Sequence, residues 1–318
     1  MVADPELSGA SPTLPAMTEI LASSRAVVPT IGADTRRRPA LSPSRAADFK
    51  QCPLLYRFRA VDRLPETPSR VLVRGTVVHA VLERLFALPP DQRDPEAARA
   101  LVEPTWRDVL VDNPELTELF DGPGDPELSE WLGSAGDLVE AYFALEDPRL
   151  VTPEACEVLV ETELAAGDKP LLLRGYIDRL DVAPTGEIRV VDYKSGSAPR
   201  EILEAKALFQ MKFYALVLLR IRGVVPRQLR LLYLADRQVL SYTPDEAELV
   251  RFERTLTAIW SAILRAAHTG DFRPNPSRMC DWCDHKPRCP AFGGTPPPYP
   301  GWPDPAGAGT ETARDRAD

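Results

Sequence analysis

The chain has 318 residues, 44% of them hydrophobic and 27% charged, with a net charge of −9; this is room for one large domain or two small ones around a buried core. No apolar run of roughly eighteen residues occurs, which excludes a membrane-spanning helix. The acidic start lacks the basic stretch of a signal peptide, so the chain is expected in the cytoplasm with its thiols reduced. The acidic balance argues against a protein that coats nucleic acid, but not against an enzyme that holds metal on carboxylates and needs only one basic groove.

Residues 1–40 are rich in Ala, Pro, Ser and Thr and end in Arg36-Arg37-Arg38-Pro39; they are expected to form a disordered leader. The stretch 292–318 is Gly, Pro and charge and is expected to be a disordered tail, which leaves 41–291 as one folded domain. Ser42-Pro43-Ser44 reads as a helix start, and that helix should stop near Cys52-Pro53. A second helix is predicted over 75–86, with Val78, Val81, Leu82 and Leu85 on one face. Residues 94–147 read as helical with breaks at Asn113-Pro114 and Asp121-Gly122-Pro123-Gly124, which makes a helical insertion at about 90–150. Strand-like alternation or short apolar runs follow at 158–164, 171–182 and 188–193, the last two joined by the turn Ala183-Pro184-Thr185-Gly186. A helix over 202–221, strands over 228–234 and 238–242 and a helix over 245–268 complete the series. No internal repeat is visible.

The chemistry concentrates in Gly175-Tyr176-Ile177-Asp178-Arg179 and Val190-Val191-Asp192-Tyr193-Lys194. Side chains alternate along a strand, so Asp192 and Lys194 should share a face. Asp178, on the preceding strand of the predicted hairpin, can be brought beside them. Two carboxylates and an ammonium at one point suit a hard divalent cation such as Mg²⁺ or Mn²⁺. An Asp-x-Lys triplet alone usually means a surface salt bridge; here Val190 and Val191 carry the strand into a core, where unpaired charge is costly. Lysine is scarce, only six in the chain, so one at a motif position carries information.

These residues resemble the PD-(D/E)XK nucleases, and within them the RecB-like exonucleases and their CRISPR-associated relatives. The resemblance rests on Gly75-Thr76-Val77-Val78-His79, then Gly175-Tyr176-Ile177-Asp178, then Asp192-Tyr193-Lys194, then Gln210-Met211-Lys212-Phe213-Tyr214. It implies a restriction-endonuclease-like α/β core, a mixed central sheet flanked by helices. It implies that His79, Asp178, Asp192 and the carbonyl of Tyr193 bind metal and that Lys194 is the catalytic lysine. Gln210 and Tyr214, four apart and so on one helix face, would support the site and touch DNA. Glu161, Glu163 and Glu83 have weaker claims to add a carboxylate; a solvated face explains them as well.

Cys280, Cys283 and Cys289 are spaced C-x2-C-x5-C, which in a reducing compartment suggests metal rather than disulfides. Cys52 offers a fourth thiol. One cysteine before the nuclease motifs and three after them resembles the AddB and CRISPR-associated iron–sulfur nucleases, and implies a [4Fe–4S] cluster clipping the two ends of the domain together. Structural Zn²⁺ is the alternative, with His285 as a substitute ligand or ordinary loop surface. Cys156 reads as a buried apolar residue.

Arg45, Lys50, Arg57 and Arg59, with Tyr56 between them, could track a single strand by charge and stacking, or could be a solvated helix with aromatic core contacts. Arg200, Lys206 and Lys212 could reach phosphates. The expected activity is metal-dependent hydrolysis of DNA, as an exonuclease on ends or single strands in repair or recombination. The chain carries no Walker-type loop, so a helicase would be a separate partner. The alternatives are a structure-specific or CRISPR spacer-processing nuclease working with integration proteins, and a binding module with a degenerate site.

Overall fold

A computed structural model describes residues 39–166, 170–198 and 201–302, with the side chains of 201–206 outside the description. Its strands are β1 (Ala40–Leu41), β2 (Ala155–Leu164), β3 (Leu171–Val182), β4 (Ile188–Lys194), β5 (Gln228–Tyr233) and β6 (Gln238–Tyr242), all in one mixed sheet. β3 is the hub. One edge pairs antiparallel with β2; the other pairs parallel with β1 at Leu172 and Leu173 and antiparallel with β4 from Arg179 to Val182. β4 continues beyond that ladder and pairs parallel with β5, to which β6 adds antiparallel. A parallel step needs a long crossover, and α7 (Glu201–Arg222) supplies it.

Helices cover both faces. On one lie α1 (Pro43–Gln51), α2 (Pro53–Tyr56), α7 and α8 (Glu246–Thr269). They enclose a core with Leu173, Ile177, Val190, Leu231, Phe213 and Leu256. On the other lie α3 (Arg70–Ala87), α4 (Pro95–Ala100), α5 (Val102–Asp112) and α6 (Pro126–Tyr142). Their core holds Val81, Leu85, Trp106 and Trp131 with Val191 and Leu232 of the sheet. The boundaries follow local chemistry. Ser42 caps α1 by accepting the Arg45 amide, with Pro43 at the first helical position. Asp94 and Asp245 cap α4 and α8 by the same bond, and Asp125 caps α6 by accepting the Glu127 amide two residues on. Gly270, in the left-handed conformation, ends α8.

Two expectations are corrected at the ends. Ala40 is already paired in β1 and buried, so the leader reading is one residue too long at its end; residues 1–38 lie outside the described residues. The tail reading fails for residues 292–302. Tyr299 packs at a tilt against Phe272, donates its hydroxyl to the Ala267 carbonyl at 2.9 Å and lies under the Arg57 guanidinium. Trp302 meets Trp260 edge to face. Proline-rich composition suggested disorder, but two aromatic anchors give this strap apolar area to bury.

Candidate active site

The β3–β4 ladder ends at Arg179↔Val191. The next rung would pair Asp178 with Asp192, and there the strands part. In place of a ladder bond, the Tyr193 amide donates to Asp178 Oδ2 at 2.7 Å. On the other edge of β3, Cys156↔Arg179 and Val158↔Ile177 set Glu157 opposite Asp178, and again no rung forms. Register therefore lines up Glu157, Asp178 and Asp192 in one row across three strands.

The alternation of β2 and β3 slips at this row. Val158 and Ile177 belong to the core under α7 and α8, and so do Ala155 and Leu180, three residues away rather than two or four. Cys156 packs instead into the helical core of α3–α6, and Arg179 points there too, against Tyr142, Tyr193 and Phe86. The backbone adjustment is visible at Glu157, whose φ of 46° is in the left-handed region. For a non-glycine residue that conformation costs on the order of 1–3 kcal/mol and recurs at functional sites.

α3 brings His79 to the row. Its Nδ1 lies 3.4 Å from Asp178 Oδ2 and 3.8 Å from Glu157 Oε1. The ring meets the Tyr193 ring edge-on, centroids 6.0 Å apart. Gly75 allows the helix this approach, since a Cβ there would stand 3.1 Å from Ser195 Oγ. From the other face Lys194 Nζ contacts Asp192 Oδ2 at 2.7 Å without completing a directed hydrogen bond, and donates to Gln210 Oε1 at 2.9 Å. Gln210 Nε2 in turn donates to the Tyr214 hydroxyl at 3.4 Å. Tyr214 is buried, packed where a Cβ on Gly175 would lie only 2.8 Å from its ring. At 4% exposure it offers almost no face to a ligand.

The site is short of positive charge. Burial pushes the Asp178 carboxyl up to about 7, with Asp192 and Glu157 adding to the rise against the pull of His79 and Lys194. Burial also works against the His79 imidazolium, yet Asp178, Glu157 and Asp192 outweigh it and hold that ring up at about 9. Lys194 is likewise raised, burial being outweighed by Asp192 and Asp178. Asp192 is 2% exposed, its Oδ2 unsatisfied apart from the Lys194 contact. His79, Glu157 and Asp178 have ligand atoms within 4.8 Å of one another, the one such group of three among the described residues. One imidazole and hard oxygens around an under-neutralised point fit a divalent cation.

Glu157 escaped sequence reasoning, which weighed Glu161, Glu163 and Glu83 instead. Glu161 is ion-paired with Arg174, and none of these three joins the group of ligand atoms. The register of β2 on β3 sets Glu157 opposite Asp178; the strand expected over 158–164 began one residue too late to include it.

The four cysteines Cys52, Cys280, Cys283 and Cys289 line one cleft, with Phe58 and His285. The Asn275 amide donates to Cys52 Sγ at 3.4 Å and the Ser277 amide to Cys280 Sγ at 3.3 Å. Among the described residues no three of these sulfurs come within 4.8 Å of one another. The loop-surface reading of His285 is corrected: the ring is 1% exposed, edge-on to Phe58, with Nε2 2.9 Å from Glu66. Cys156 stands apart in the helical core, its thiol pushed up to about 12 by burial.

The basic stretch is largely not free to meet a ligand. Tyr56 is buried between Phe49 and Phe272. Arg57 is buried, paired with Asp62 at 3.0 Å and donating to the Pro297 carbonyl at 2.5 Å. Arg59 joins Asp48 and Glu66, Arg45 donates to the Ala40 carbonyl, and Lys212 pairs with Glu248 over the Tyr242 ring. The short π-helical turn Arg57–Val61 carries this stretch into the core. Lys50 is exposed, its ammonium over Phe209. Arg200 and the Lys206 side chain lie outside the described residues.

The model of the PD-(D/E)XK nuclease superfamily matches residues 40–290. The chain is similar to the Gene 69 protein of Mycobacterium phage D29, 26% identical over 276 residues that span 80% of this chain and 97% of that protein. Its counterpart in Mycobacterium phage L5 is 24% identical over 288 residues, with the same two shares. A solved structure from Eubacterium rectale, provisionally named an exonuclease, superposes with a TM-score of 0.54 at 16% identity, covering 80% of this chain and 90% of that one.

Proposed function

The chain belongs to the PD-(D/E)XK nuclease superfamily, and from that premise we propose that it hydrolyses DNA phosphodiester bonds with a divalent cation, as a RecB-like exonuclease acting on ends or single strands. The observation that carries this reading is the row Glu157–Asp178–Asp192 across the fork of β3 and β4, with His79 above it and Lys194 beside it. His79, Glu157, Asp178, Asp192 and the Tyr193 carbonyl would hold the ion. Such an ion supplies positive charge to a phosphate and lowers the pKa of water. The chain's own groups do the rest. Lys194, fixed by Asp192 and Gln210, orients the attacking water and stabilises negative charge as it grows on the phosphate. Asp178, held by the Tyr193 amide, keeps the imidazole of His79 directed at the row. The provisional name of the Eubacterium rectale structure favours exonuclease action over the structure-specific or spacer-processing alternatives. An intact row with its lysine speaks against a degenerate binding module.

For the four thiols the reading is a [4Fe–4S] cluster. Structural Zn²⁺ is the alternative, since four thiolates also suit a tetrahedral ion. Amides aimed at Cys52 and Cys280 suit a cluster, whose sulfurs accept such bonds. The deciding experiment incubates anaerobically purified protein with end-labelled single- and double-stranded DNA in Mg²⁺, Mn²⁺ or EDTA, beside iron, sulfide and zinc analysis. Mononucleotide or short products that vanish in EDTA support the activity; full cutting in EDTA overturns it. One zinc and no sulfide would overturn the cluster.

A further inference from the structure

Beneath the carboxylate row lies a second charged group. Arg179, one residue after Asp178, is completely buried on the face toward α6. Its Nη2 donates to both Glu146 oxygens at 2.7 and 2.9 Å, and its Nε donates to Asp181 at 3.0 Å. Its Nη1 donates to the hydroxyls of Tyr142 at 3.2 Å and Tyr193 at 3.0 Å. The guanidinium also lies 4.9 Å from the Phe86 ring centre. Arg189 shares Asp181 and Glu146, and Arg230 reaches Glu146 at 3.6 Å.

Stability alone does not account for such a group. Buried ion pairs are often no better than well-packed apolar residues of the same volume, because desolvation consumes the Coulombic gain. What this one does is fix a particular tyrosine. Tyr193 is the middle residue of Asp192-Tyr193-Lys194 and contacts the site in two further ways. Its amide donates to Asp178 Oδ2, and its ring edge seats His79. A guanidinium presents its donors in a rigid fork, so six contacts from its three nitrogens, Nη2 to Asp181 at 3.1 Å included, leave little freedom. Any tilt of the Tyr193 ring or plane would move the Asp178 carboxylate and the imidazole together.

We propose that Arg179 is a positioning residue of the metal site: anchored by Glu146, in the turn after α6, and by Asp181, it holds the Tyr193 phenol and thereby sets Asp178 and His79. The helical insertion is then a working part of the nuclease, since it supplies Glu146. This inference rests on the metal-dependent reading above, and its test separates the two.

Tyr193→Phe removes one hydroxyl from Arg179; Tyr142→Phe removes another from the same nitrogen but touches none of the row. Mn²⁺ binding by titration calorimetry, thermal denaturation and steady-state cleavage are compared for both and for Glu146→Gln. Both tyrosine variants should melt within a few degrees of each other. Tyr193→Phe and Glu146→Gln should weaken Mn²⁺ binding about five- to tenfold and lower kcat with KM for DNA little changed, while Tyr142→Phe keeps both. Equal Mn²⁺ affinity in the two tyrosine variants, or wild-type affinity in Tyr193→Phe, would sink the positioning role and leave the nuclease reading standing. Wild-type protein that binds no Mn²⁺ would sink the nuclease reading and this inference with it. Arg179→Lys keeps charge but not the fork, and if it folds it should resemble Tyr193→Phe.

Discussion

The carboxylate fork and the cysteine cleft are built on opposite plans. Every residue of the fork sits on a strand or a long helix, and sheet register alone brings Glu157, Asp178 and Asp192 into line. The cleft is made from the junction of two short helices at Cys52 and from 3₁₀ turns near the other end of the fold. At the fork His79, Glu157 and Asp178 already have ligand atoms within 4.8 Å of one another, a group that Asp192 does not join, whereas the thiols are spread over their cleft. A metal at the fork would therefore fill an existing site. A group at the cleft would complete one, and its binding would count toward folding. The fork should respond to damage in rate, the cleft in stability.

The most severe test of that division is at the fork. Asp192→Asn or Lys194→Ala should lower kcat about a thousandfold, the scale expected when a group that holds the ion or stabilises growing charge is lost. DNA affinity should barely move, and the loss in rate should outweigh any change in melting temperature. Near-normal turnover in either variant would dissolve the assignment of the fork.

At the cleft the expected loss is in melting temperature. Cys280→Ser should bleach the protein and lower its melting temperature by about 10 °C or more, since about 2–4 °C accompanies each kcal/mol in a chain of this size. Cys156→Ser, outside the cleft, should keep the colour. If Cys280→Ser melts like wild type, the two plans are not distinct.

Gly175→Ala blurs the division on purpose, because an added methyl must push the Tyr214 ring, 2.8 Å away. Overpacking of this kind costs about 1–3 kcal/mol. Cleavage should also fall, because Tyr214 accepts from the Gln210 that holds Lys194. A stability loss with unchanged kcat would detach Tyr214 from the site.

The smallest effect belongs to the basic stretch. Lys50→Ala should weaken single-stranded DNA binding about two- to fivefold and reduce the salt slope by about one. Tyr56→Phe, buried under Phe272, should leave affinity unchanged, and a large loss there would mean that this region opens to admit a strand.

Much of the fork was legible in the sequence because its spacing obeys local rules. Asp192 and Lys194 share a face by alternation, Gln210 and Tyr214 by helical repeat, and the strands 171–182 and 228–233 end within a residue of where their apolar runs do. What stayed hidden depended on distant partners. Glu157 lies one residue before the strand expected over 158–164, so only Glu161 and Glu163 of that strand were weighed, whereas β2 begins at Ala155. Tyr56 and Arg57 looked like a binding surface because composition does not reveal that a π-helical turn carries them into the core. Lys212 offers the same lesson, its charge taken by Glu248, thirty-six residues on. The strap at Tyr299 and Trp302 was lost among prolines.

The slipped phase at Glu157 and Asp178 also governs how the gene can change length. Elsewhere in a hairpin, a matched loss of one residue from each strand near the turn only shortens it. Here the pairing register is the same on both sides of the row, but the facing of the side chains is shifted by one residue. Deleting Asp178 would restore simple alternation, with Ile177 and Leu180 still facing their core and Arg179 still facing α6, so the loss would fall on the site rather than on the sheet. Deleting a residue elsewhere within these strands would instead reverse every facing on one side of the gap, so sequence drift in length is expected to collect in the loops.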